Sequence, residues 1–383
     1  MTDTDPSGRP GGTLRSLHIG SAMIDVICIV APENIERMSF SNESKSFLML
    51  EAGRKIPAQS VTTHVGGGAC NTAVALARRG WDAAVLARVG EDHNAGAVRE
   101  HLDRNGVDPG WLATTPDTAT GTSVMVASHD RNATIFVHRG ANEGISTGDL
   151  GEAAFEGRDL VHIAPLSSRS ADAFGEVAAR GRRAGAFVSA NPGIRQLTSR
   201  TGPLIEALAN VDLLSINRVE AEALVPAMAA RAEGPDPLPP AGAPTLLKTG
   251  LTAGGFNIGL LRFLATVREA GPRFVLLTDG TDGAWLAGPG CGPGEAIWRP
   301  SVKAKVAGTA GAGDSFTSTL TAALVEEVEP AQAMAEAAVN AAAVVSVVDT
   351  TAGLLTRDAL AGRVAAAGEM ALYEGMAVQT VRR

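Results

Sequence analysis

Short apolar segments alternate with helical patterns along much of this chain. Strands are predicted, in chain order, at residues 160–164, 187–190, 213–217 and 274–278, and helices at 171–183, 203–209 and 258–270. Strands joined through helices favour right-handed crossovers and a parallel sheet that the helices cover. The alternation therefore predicts an α/β fold in which ligands bind beyond the carboxyl ends of the strands.

Length and charge narrow the classes of partner. With 383 residues, the chain can form one large domain with an appendage, or two domains. Its formal net charge of -8 argues against nucleic acid or an anionic membrane as the main partner, because both bind basic surfaces. A small molecule is the expected partner.

Cysteine use and the N-terminus indicate the compartment. Cys28, Cys70 and Cys291 are too few and too scattered for a disulfide framework or a thiolate metal site, which fits a reducing cytosol. Residues 1–14 lack the apolar core of a signal peptide and predict a flexible tail. No apolar run reaches the roughly 18 residues of a membrane span. We expect a cytoplasmic protein.

The N-terminal region contains a strand and a further strand–helix alternation. A buried strand at 17–20 leads to Asp25, which we expect at a strand exit. A helical pattern at 69–79 precedes the apolar segment 83–87, and together they predict another βα unit.

Two further stretches are expected to lie outside the main sheet. Weakly patterned sequence at 33–60 allows short strands at 47–50 and 55–57, while a hairpin is predicted from 122–126 and 134–138 around a polar turn at 129–132. Together these segments predict a small second sheet. Residues 234–255, rich in Pro and Gly, predict an irregular surface insertion.

The segment Gly311-Ala312-Gly313-Asp314 leads into a long apolar helical pattern. Glycines allow the backbone to approach a ligand closely, and the free amides of a helix start attract an anion. Asp314, in the same turn, can then take a proton from a nearby hydroxyl, so the segment suggests phosphoryl transfer. The alternative is a simple chain reversal with Asp314 as a helix cap.

A second glycine-rich turn, Gly66-Gly67-Gly68, joins a predicted strand to the helix that contains Asn71. It permits close approach of the backbone to a polyhydroxyl ligand, and the amide of Asn71 can both donate and accept hydrogen bonds. A flexible turn followed by an ordinary cap is the alternative interpretation.

Three other positions allow a ligand role and a structural one. Asn217 and Glu220 could organise water around Mg²⁺, although an Asn cap with Glu three residues later is more often a capping box. Asp25 could bind two sugar hydroxyls or cap a turn. The segment 278–283 could approach a nucleotide, but a hairpin turn has the same composition.

Taken in order, these motifs resemble those of the ribokinase-like (PfkB) family of carbohydrate and nucleoside kinases. That family has an aspartate after the first strand, a double glycine, an Asn-x-x-Glu and a terminal GAGD. The resemblance runs from about residue 17 to residue 353, and Gly90-Glu91-Asp92-x-x-x-Gly96 and Gly140-Ala141-Asn142 are further matches.

The resemblance implies a role for each matching position. Asp314 would be the base, and the amides of Ala312, Gly313 and Asp314, which follow Gly311, would form the anion hole. The acceptor contacts would be Asp25, Gly67, Gly68 and Asn71. Asn217 and Glu220 would organise Mg²⁺ and the phosphates through water, with Glu220 as the metal-side carboxylate, and Thr278, Gly280 and Asn340 would contact the nucleotide.

The resemblance also implies an architecture and ligands. We expect a three-layer α/β/α core with a mostly parallel sheet, formed by 15–30, 66–116 and 140–383, and a small β lid formed by 31–65 and 117–139. The expected ligands are ATP, Mg²⁺ and a sugar or nucleoside. Members of the family often dimerise through the lid, and the sequence leaves the oligomeric state open.

Three departures from the family pattern bear on specificity. Gly308 replaces an aspartate that contributes to a monovalent-cation site in potassium-activated members, which argues against potassium activation. Met23 stands where many ribose kinases have asparagine, and Gly68 where ribokinases have lysine. Ribose itself is therefore a less favoured acceptor.

Three functions remain open. The first is an ATP-dependent kinase that acts on a sugar hydroxyl. The second, a nucleoside kinase, would need an apolar or aromatic slot that the sequence does not reveal. The third is a non-catalytic sugar or nucleotide sensor on the same fold, against which the presence of Asp314 argues.

Overall fold

A computed structural model describes residues 12–34, 36–39, 46–49, 51–127, 133–234, 236, 239, 242–292, 294–374 and 379–381. Most of the predicted tail, the hairpin turn at 129–132 and part of the 234–255 segment lie outside the described residues. In the described part of the chain, the strands are β1 (Arg15–Ile19), β2 (Met23–Val30), β3 (Glu36–Ser39), β4 (Ser46–Met49), β5 (Ala58–Gly66), β6 (Asp82–Gly90), β7 (Val107–Thr115), β8 (Gly121–Ala127), β9 (Ala133–His138), β10 (Leu160–Ile163), β11 (Phe187–Ala190), β12 (Leu213–Asn217), β13 (Leu251–Ala253), β14 (Phe256–Ile258), β15 (Phe274–Thr278), β16 (Ala284–Ala287), β17 (Ala296–Arg299) and β18 (Gln379–Val381).

The described helices are α1 (Gly68–Arg78), α2 (His93–Arg104), α3 (Glu152–Phe155), α4 (Phe174–Arg183), α5 (Ile194–Ser199), α6 (Thr201–Ala207), α7 (Arg218–Ala229), α8 (Thr245–Thr249), α9 (Leu260–Glu269), α10 (Ala312–Val325), α11 (Pro330–Val344) and α12 (Arg357–Glu374). None of them combines the length and the apolar character that crossing a bilayer requires.

A ten-stranded sheet forms the centre of the fold, in the order β18-β17-β16-β15-β12-β11-β10-β1-β6-β7. The strands from β15 to β7 in this order pair in parallel, and β16, β17 and β18 add an antiparallel edge. Because parallel strands need crossover helices, the sheet is covered on both faces. The predicted three-layer α/β fold with a mostly parallel sheet is confirmed.

Apolar side chains that alternate along the strands fill the two interfaces between sheet and helices. Leu17 and Ile19 of β1 belong to the core cluster that includes α4, α7 and α9. On the other face, Ala83 and Val85 of β6 pack with α1 and α2, while residues of β15 and β16 pack with α10 and α11.

A row of buried polar groups lies between the sheet and helices α1 and α10. His18 is paired in register with His162. Nδ1 of His18 lies 2.8 Å from Thr72 Oγ1, and Nδ1 of His162 lies 3.2 Å from Ser189 Oγ, which in turn lies 3.1 Å from Thr321 Oγ1. Burial lowers the pKa of both histidines, that of His162 to about 4, so both rings are neutral near pH 7.

A smaller sheet has the strand order β5-β2-β8-β9 and includes the predicted hairpin of β8 and β9. It also contains residues 23–30, which the sequence analysis assigned to the core. Residues 23–30 join the smaller sheet because the chain turns sharply after β1 and leaves the large sheet at Gly20. The turn is tight, since a Cβ on Gly20 would lie 2.7 Å from Ala164 Cβ. Asp25 therefore lies within a strand of the small sheet and not at a strand exit. The division into core and lid remains a prediction.

Two local expectations need correction. Residues 55–57 do not form a strand, because β5 begins only at Ala58. The 234–255 segment is not irregular throughout, because the short helix α8 and the antiparallel hairpin β13–β14 bury Leu246 and Leu251 against the core. Since β14 extends to residue 258, α9 begins at Leu260 and not at 258.

An ion-pair network joins the ends of α1 and α10. The guanidinium of Arg79 contacts Glu326 at 2.6 Å and Glu336 at 2.8 Å, and Arg357 contacts Glu326 at 2.7 Å. Trp81 Nε1 also donates to Glu326 Oε1 at 2.8 Å. Burial acts to raise the pKa of Glu326, but the hydrogen bonds from Arg79 lower it. Glu326 is therefore charged at neutral pH.

Replacement of Glu326 by Ala should leave the buried guanidinium of Arg79 with Glu336 as its one remaining carboxylate partner among the described residues. We expect the free energy of unfolding, measured by chemical denaturation, to fall by about 3–5 kcal/mol. Glu100→Ala is the control, because it removes an exposed pair with Arg104 and should change this free energy little. A loss for Glu326→Ala no larger than that of the control would contradict this account.

Candidate active site

Helix α10 begins at a glycine that no other residue could replace without strain. Gly311 has φ of 79°, and a Cβ there would lie 2.7 Å from the carbonyl oxygen of Thr350. The first hydrogen bond of the helix runs from the Ser315 amide to the Gly311 carbonyl, at 2.9 Å. The amides of Gly313 and Asp314 precede that bond and point outward from the helix start.

Space is open in front of this helix start. A Cβ on Gly313 would meet no other atom within 4 Å. The amide of Ala312 is partly engaged, because it donates to the Thr309 carbonyl at 3.4 Å. The arrangement fits an anion at the Gly313 and Asp314 amides, where the positive end of the helix dipole also lies.

The Asp314 carboxyl is held by one side chain. Asn71 Nδ2 donates to Asp314 Oδ2 at 2.8 Å, and Thr350 Oγ1 donates to Asn71 Oδ1 at 3.0 Å. The hydroxyl of Thr350 thereby fixes which end of the Asn71 amide faces the carboxyl. Within the described part of the chain, Oδ1 of Asp314 makes no hydrogen bond, so this oxygen is available to an incoming group.

Burial makes Asp314 a stronger base than an ordinary aspartate. It raises the pKa of Asp314 to about 6; the hydrogen bond from Asn71 opposes the shift and the charge of Asp25 adds to it. The carboxyl is therefore mostly ionised at pH 7 but is close to the pH at which it can accept a proton.

Asp25 lies on the face of the small sheet that turns toward Asp314. Its cross-strand neighbours are His64 on β5 and Ser123 on β8, and Ser123 Oγ donates to Asp25 Oδ1 at 2.5 Å. Burial raises the pKa of Asp25. A Cβ on Gly66 would lie 1.9 Å from Asp25 Oδ2, so the first glycine of the turn provides the space for this carboxyl.

The other two glycines of that turn pack against the segment after β1. Gly67 has φ of 97°, and a Cβ there would lie 2.4 Å from the Ser21 carbonyl oxygen. The Gly68 amide donates to Ser21 Oγ at 3.1 Å, and a Cβ on Gly68 would lie 2.8 Å from Ala164 Cβ. These contacts seat the first turn of α1, which carries Asn71 toward Asp314.

The structure adds a histidine–aspartate pair that the sequence analysis missed. His64 Nδ1 lies 2.7 Å from Asp349 Oδ2 and connects β5 to the loop that also carries Thr350. Burial acts to raise the pKa of Asp349, but hydrogen bonds from the Thr351 and Ala352 amides lower it. No spacing rule could have identified the pair, because its members are 285 residues apart.

Asn217 and Glu220 form the capping box that the sequence analysis weighed as the structural alternative. The Glu220 amide donates to Asn217 Oδ1 at 3.0 Å, and the Asn217 amide donates to Glu220 Oε2 at 2.9 Å. Asn191 Nδ2 also reaches Oε2, at 3.3 Å. Burial raises the pKa of Glu220, and the charge of Asp314 contributes. Within the described residues Oε1 has no hydrogen-bond partner, so one oxygen remains for a ligand.

Thr278 and Gly280 lie beside this capping box. Thr278 is paired in register with Asn217 at the carboxyl ends of β12 and β15. Gly280 begins the short turn to β16, and a Cβ there would meet no atom within 4 Å. The turn connects an antiparallel pair, as the hairpin interpretation predicted, and it also leaves open space beside Thr278.

Asn340 does not reach this open space. Its side chain is buried in α11, where Nδ2 donates to Thr319 Oγ1 at 2.8 Å and Oδ1 accepts from the Leu355 amide at 3.0 Å. Its hydrogen-bonding groups join α10 and α11 to the following loop. These bonds give the side chain a packing role, and the nucleotide contact at Asn340 that the resemblance implies stays a prediction.

A small cleft opens beside the glycine turn. Its lining residues are Gly20, Ser21, Met23, Arg139, Asn142, Ile145, Pro165, Leu166, Ser167 and Ser170. Ser21 connects the cleft to the glycine turn through the Gly68 amide. Asn71 contacts Asp314 directly, and the charges of Asp25 and Glu220 interact with that of Asp314. None of these four side chains lines the cleft.

Comparison with known proteins adds a family. The sequence pattern of the pfkB family of carbohydrate kinases matches residues 17–241 and 257–357. An ATP-dependent ribose-1-phosphate kinase from Halopiger xanaduensis is 32% identical over 160 residues, which are 42% of this chain and 52% of that protein. The chain spans about half the length, or less, of the curated relatives that it matches.

Solved structures share the fold over nearly the whole chain. A ribokinase from Arabidopsis thaliana, complexed with ribose and ATP, aligns with a TM-score of 0.68 at 21% identity and covers 92% of this chain and 99% of that one. A nucleoside kinase from Methanocaldococcus jannaschii aligns with a TM-score of 0.67 at 19% identity, over 93% of this chain and 100% of that one.

The Asn71 hydrogen bond should hold down the pKa of Asp314. A titration of the Asp314 carboxyl carbon by NMR should give a midpoint of about 6 in the unmodified protein, and Asn71→Ala should move the midpoint to higher pH, because the bond stabilises the charged form. Asn257→Ala, which changes an exposed amide on β14, is the control. An unchanged or lower midpoint in Asn71→Ala would show that the bond does not act on this carboxyl.

Proposed function

This chain belongs to the PfkB family of carbohydrate kinases, and from that premise we propose that it transfers the γ-phosphoryl group of ATP to a hydroxyl of a small sugar. The observation that carries the proposal is the hydrogen bond between Asn71 and Asp314 at the open start of α10. A carboxyl with a pKa of about 6 stands there beside free backbone amides. A base next to an anion seat is what phosphoryl transfer to an alcohol requires.

The activities of two relatives support the proposal. The Halopiger xanaduensis relative is an ATP-dependent ribose-1-phosphate kinase, and another relative, from Vibrio alginolyticus, is a fructokinase. Both activities support a sugar or a sugar derivative as the acceptor here.

In the proposed reaction, Asp25, Asn71 and the backbone at Gly67 and Gly68 hold the acceptor. Asp314 takes the proton of the reacting hydroxyl. The oxygen of that hydroxyl bonds to the γ-phosphorus, and the bond between the γ-phosphorus and the oxygen that stays with ADP breaks. The amides of Gly313 and Asp314, with a weaker contribution from Ala312, stabilise the negative charge on the transferring group.

The nucleotide and magnesium would lie on the other side of Asp314. Thr278 and Gly280 border open space at the carboxyl end of β15, which fits a nucleotide that lies along this edge. The free Oε1 of Glu220 fits a water-mediated contact to Mg²⁺, a cation that keeps most of its hydration. When bound, Mg²⁺ neutralises charge on the phosphates. No carboxylate stands at Gly308, so we do not propose a monovalent-cation site there.

The small sheet would act as a lid, because it carries Asp25 over the start of α10. Closure over the acceptor would exclude water and limit ATP hydrolysis.

On the opposite face of this sheet, Val61, Val124 and Phe136 are 60%, 38% and 58% exposed. Such an apolar face suits a second copy of the chain, so a homodimer through the lid remains part of the proposal. The three free cysteines fit the proposed cytoplasmic location.

A nucleoside is the second candidate acceptor. Val137 is the cross-strand neighbour of Ser123, and with Ile135 it lies on the face of the small sheet that carries Asp25. Both are about half exposed and could contact an apolar base. A non-catalytic sensor is less well supported, because a pKa near 6 at Asp314 serves proton transfer and not binding alone.

Release of ADP should depend on an acceptor and on Asp314. With a panel of sugars and nucleosides, a coupled assay should show acceptor-dependent ADP release, and Asp314→Asn should lower kcat by about 10²- to 10⁴-fold because the base is lost. Asp103→Asn, on the exposed side of α2, is the matched control. ADP release by Asp314→Asn at near the unmodified rate would contradict the assigned role.

The charge of Glu220 should matter for Mg-ATP and not for folding. Glu220→Gln keeps an oxygen for the Asn217 and Asn191 hydrogen bonds but removes the charge, so the Mg²⁺ concentration that gives half-maximal rate should rise roughly 10- to 100-fold. Glu222→Gln, on the same helix, is the control. The same Mg²⁺ requirement in both variants would limit Glu220 to capping α7.

A further inference from the structure

We propose that His64 is a positioning residue for the acceptor site: its hydrogen bond with Asp349 holds the small sheet against the core before an acceptor binds, and thereby keeps Asp25 in place. The inference rests on the proposed function, since it concerns acceptor binding at the same site. Three features of the molecule support it: the place of His64 on β5, the rigidity of the loop that carries Asp349, and the geometry of the bond between them.

His64 stands where the small sheet meets the core. Along β5, residues 58–63 are exposed, His64 is partly buried, and the two residues that follow are buried. Among the described residues, the contact with Asp349 is the one side-chain hydrogen bond that joins β5 to the core. His64 is also the direct cross-strand neighbour of Asp25, so both side chains lie on the same face of the sheet. A constraint on His64 is therefore a constraint on Asp25.

The loop that carries Asp349 is fixed from two sides. Asp349 Oδ1 accepts hydrogen bonds from the Thr351 amide at 2.6 Å and from the Ala352 amide at 2.7 Å, so one carboxylate oxygen ties the loop to itself. From α1, Arg78 Nη1 donates to the carbonyl oxygens of Thr351 and Leu354, at 2.8 Å each. The other carboxylate oxygen, Oδ2, therefore faces β5 from a rigid support.

The same loop supports the proposed base. Thr350, which follows Asp349, donates to Asn71 Oδ1 at 3.0 Å, and Asn71 in turn donates to Asp314. A Cβ on Gly311 would lie 2.7 Å from the Thr350 carbonyl oxygen, so the start of α10 packs directly on this loop. A sheet that is tied to Asp349 is therefore tied to the frame in which the base and the anion-binding amides are placed.

The geometry of the bond suits a fixed link. His64 Nδ1 lies 2.7 Å from Asp349 Oδ2, and the two side chains are only 20% and 24% exposed. Because a carboxylate can only accept, Nδ1 is the donor, and this holds for both the neutral and the charged ring. Nε2 lies 2.9 Å from Thr62 Oγ1, which can donate to it or accept from it and so orients the ring.

The link should act on acceptor binding and not on the nucleotide. Without it, the small sheet would be away from the core in a larger fraction of molecules, and the apparent affinity for the acceptor would fall with the fraction in which Asp25 is in place. Once the acceptor is bound, the complex is the same as in the unmodified chain, so the rate of transfer should change little. The proposed nucleotide contacts, Thr278, Gly280 and Glu220, lie outside the small sheet, so the binding of Mg-ATP should not change.

Steady-state kinetics with ribose, fructose, ribose 1-phosphate and adenosine test this effect. With whichever of these releases ADP, His64→Ala should raise the acceptor KM about tenfold, because a hydrogen bond to a charged group contributes about that factor. The kcat and the KM for Mg-ATP should change less than about threefold. His64→Asn, whose amide nitrogen can take the position of Nδ1, should restore most of the acceptor affinity, whereas His64→Gln, whose nitrogen takes that of Nε2, should not. His93→Ala, which removes an exposed histidine on α2, is the control.

Amide hydrogen exchange of residues 58–66, measured without ligands, tests the link independently of turnover. His64→Ala and Asp349→Ala should both speed this exchange, because the strand loses its tie to the core. The double variant should exchange no faster than Asp349→Ala alone, since His64 then has no bond left to lose. His64→Asn should restore the slow exchange.

Several results would overturn the inference: unchanged exchange at residues 58–66 in His64→Ala, an unchanged acceptor KM in that variant, or a fall in kcat without a rise in KM. Equal impairment of His64→Ala and His64→Asn would also do so, because it would give the ring a merely structural role. The proposed function fails separately, if none of the acceptors releases ADP, and the exchange result then decides whether the link exists.

Discussion

The hydrogen bond between Asn71 and Asp314 joins the first turns of α1 and α10. The two residues are 243 positions apart in the chain. Much of the site depends on it, because it requires α1 and α10 to start side by side at the same edge of the sheet. Three glycines make the close approach possible: Gly311 at the start of α10, and Gly67 and Gly68 at the start of α1. The bond also limits the rise in the Asp314 pKa that burial produces, which keeps the carboxyl ionised near neutral pH.

Buried hydroxyls under α10 fix where that bond can form. Thr317 Oγ1 lies 2.7 Å from Ser215 Oγ on β12, and Thr321 Oγ1 lies 3.1 Å from Ser189 Oγ on β11. An apolar interface of the same size would permit several positions of the helix, whereas paired polar groups in a low-dielectric interior favour one. We interpret this row as a positioning device, which holds the start of α10 within hydrogen-bond distance of Asn71.

Local patterns in the sequence predicted the central strands well, because β11, β12 and β15 are short apolar runs bounded by turn residues. The Asn217–Glu220 pair shows the limit of such patterns, because its spacing fits both a helix cap and a pair of ligand-binding residues. Glu220 can serve in both ways because its Oε2 is bonded in the cap and its Oε1 has no partner among the described residues. Contacts between distant segments were out of reach, as His64 with Asp349 shows. Asn340 shows the same limit, because its position in the sequence does not reveal that its amide bonds to Thr319 and Leu355. Asp25 was misplaced because the turn at Gly20 moves the chain into a second sheet.

The central claim is that Asp314 acts as an ionised base with a pKa of about 6. The most direct measurement is the pH dependence of kcat/KM for the acceptor at saturating Mg-ATP, from about pH 4.5 to about pH 8, since this constant reports the ionisation of the enzyme before the acceptor binds. The account predicts a rise of about tenfold per pH unit that ends near pH 6, followed by a plateau. A profile that stays level through pH 6 would contradict it.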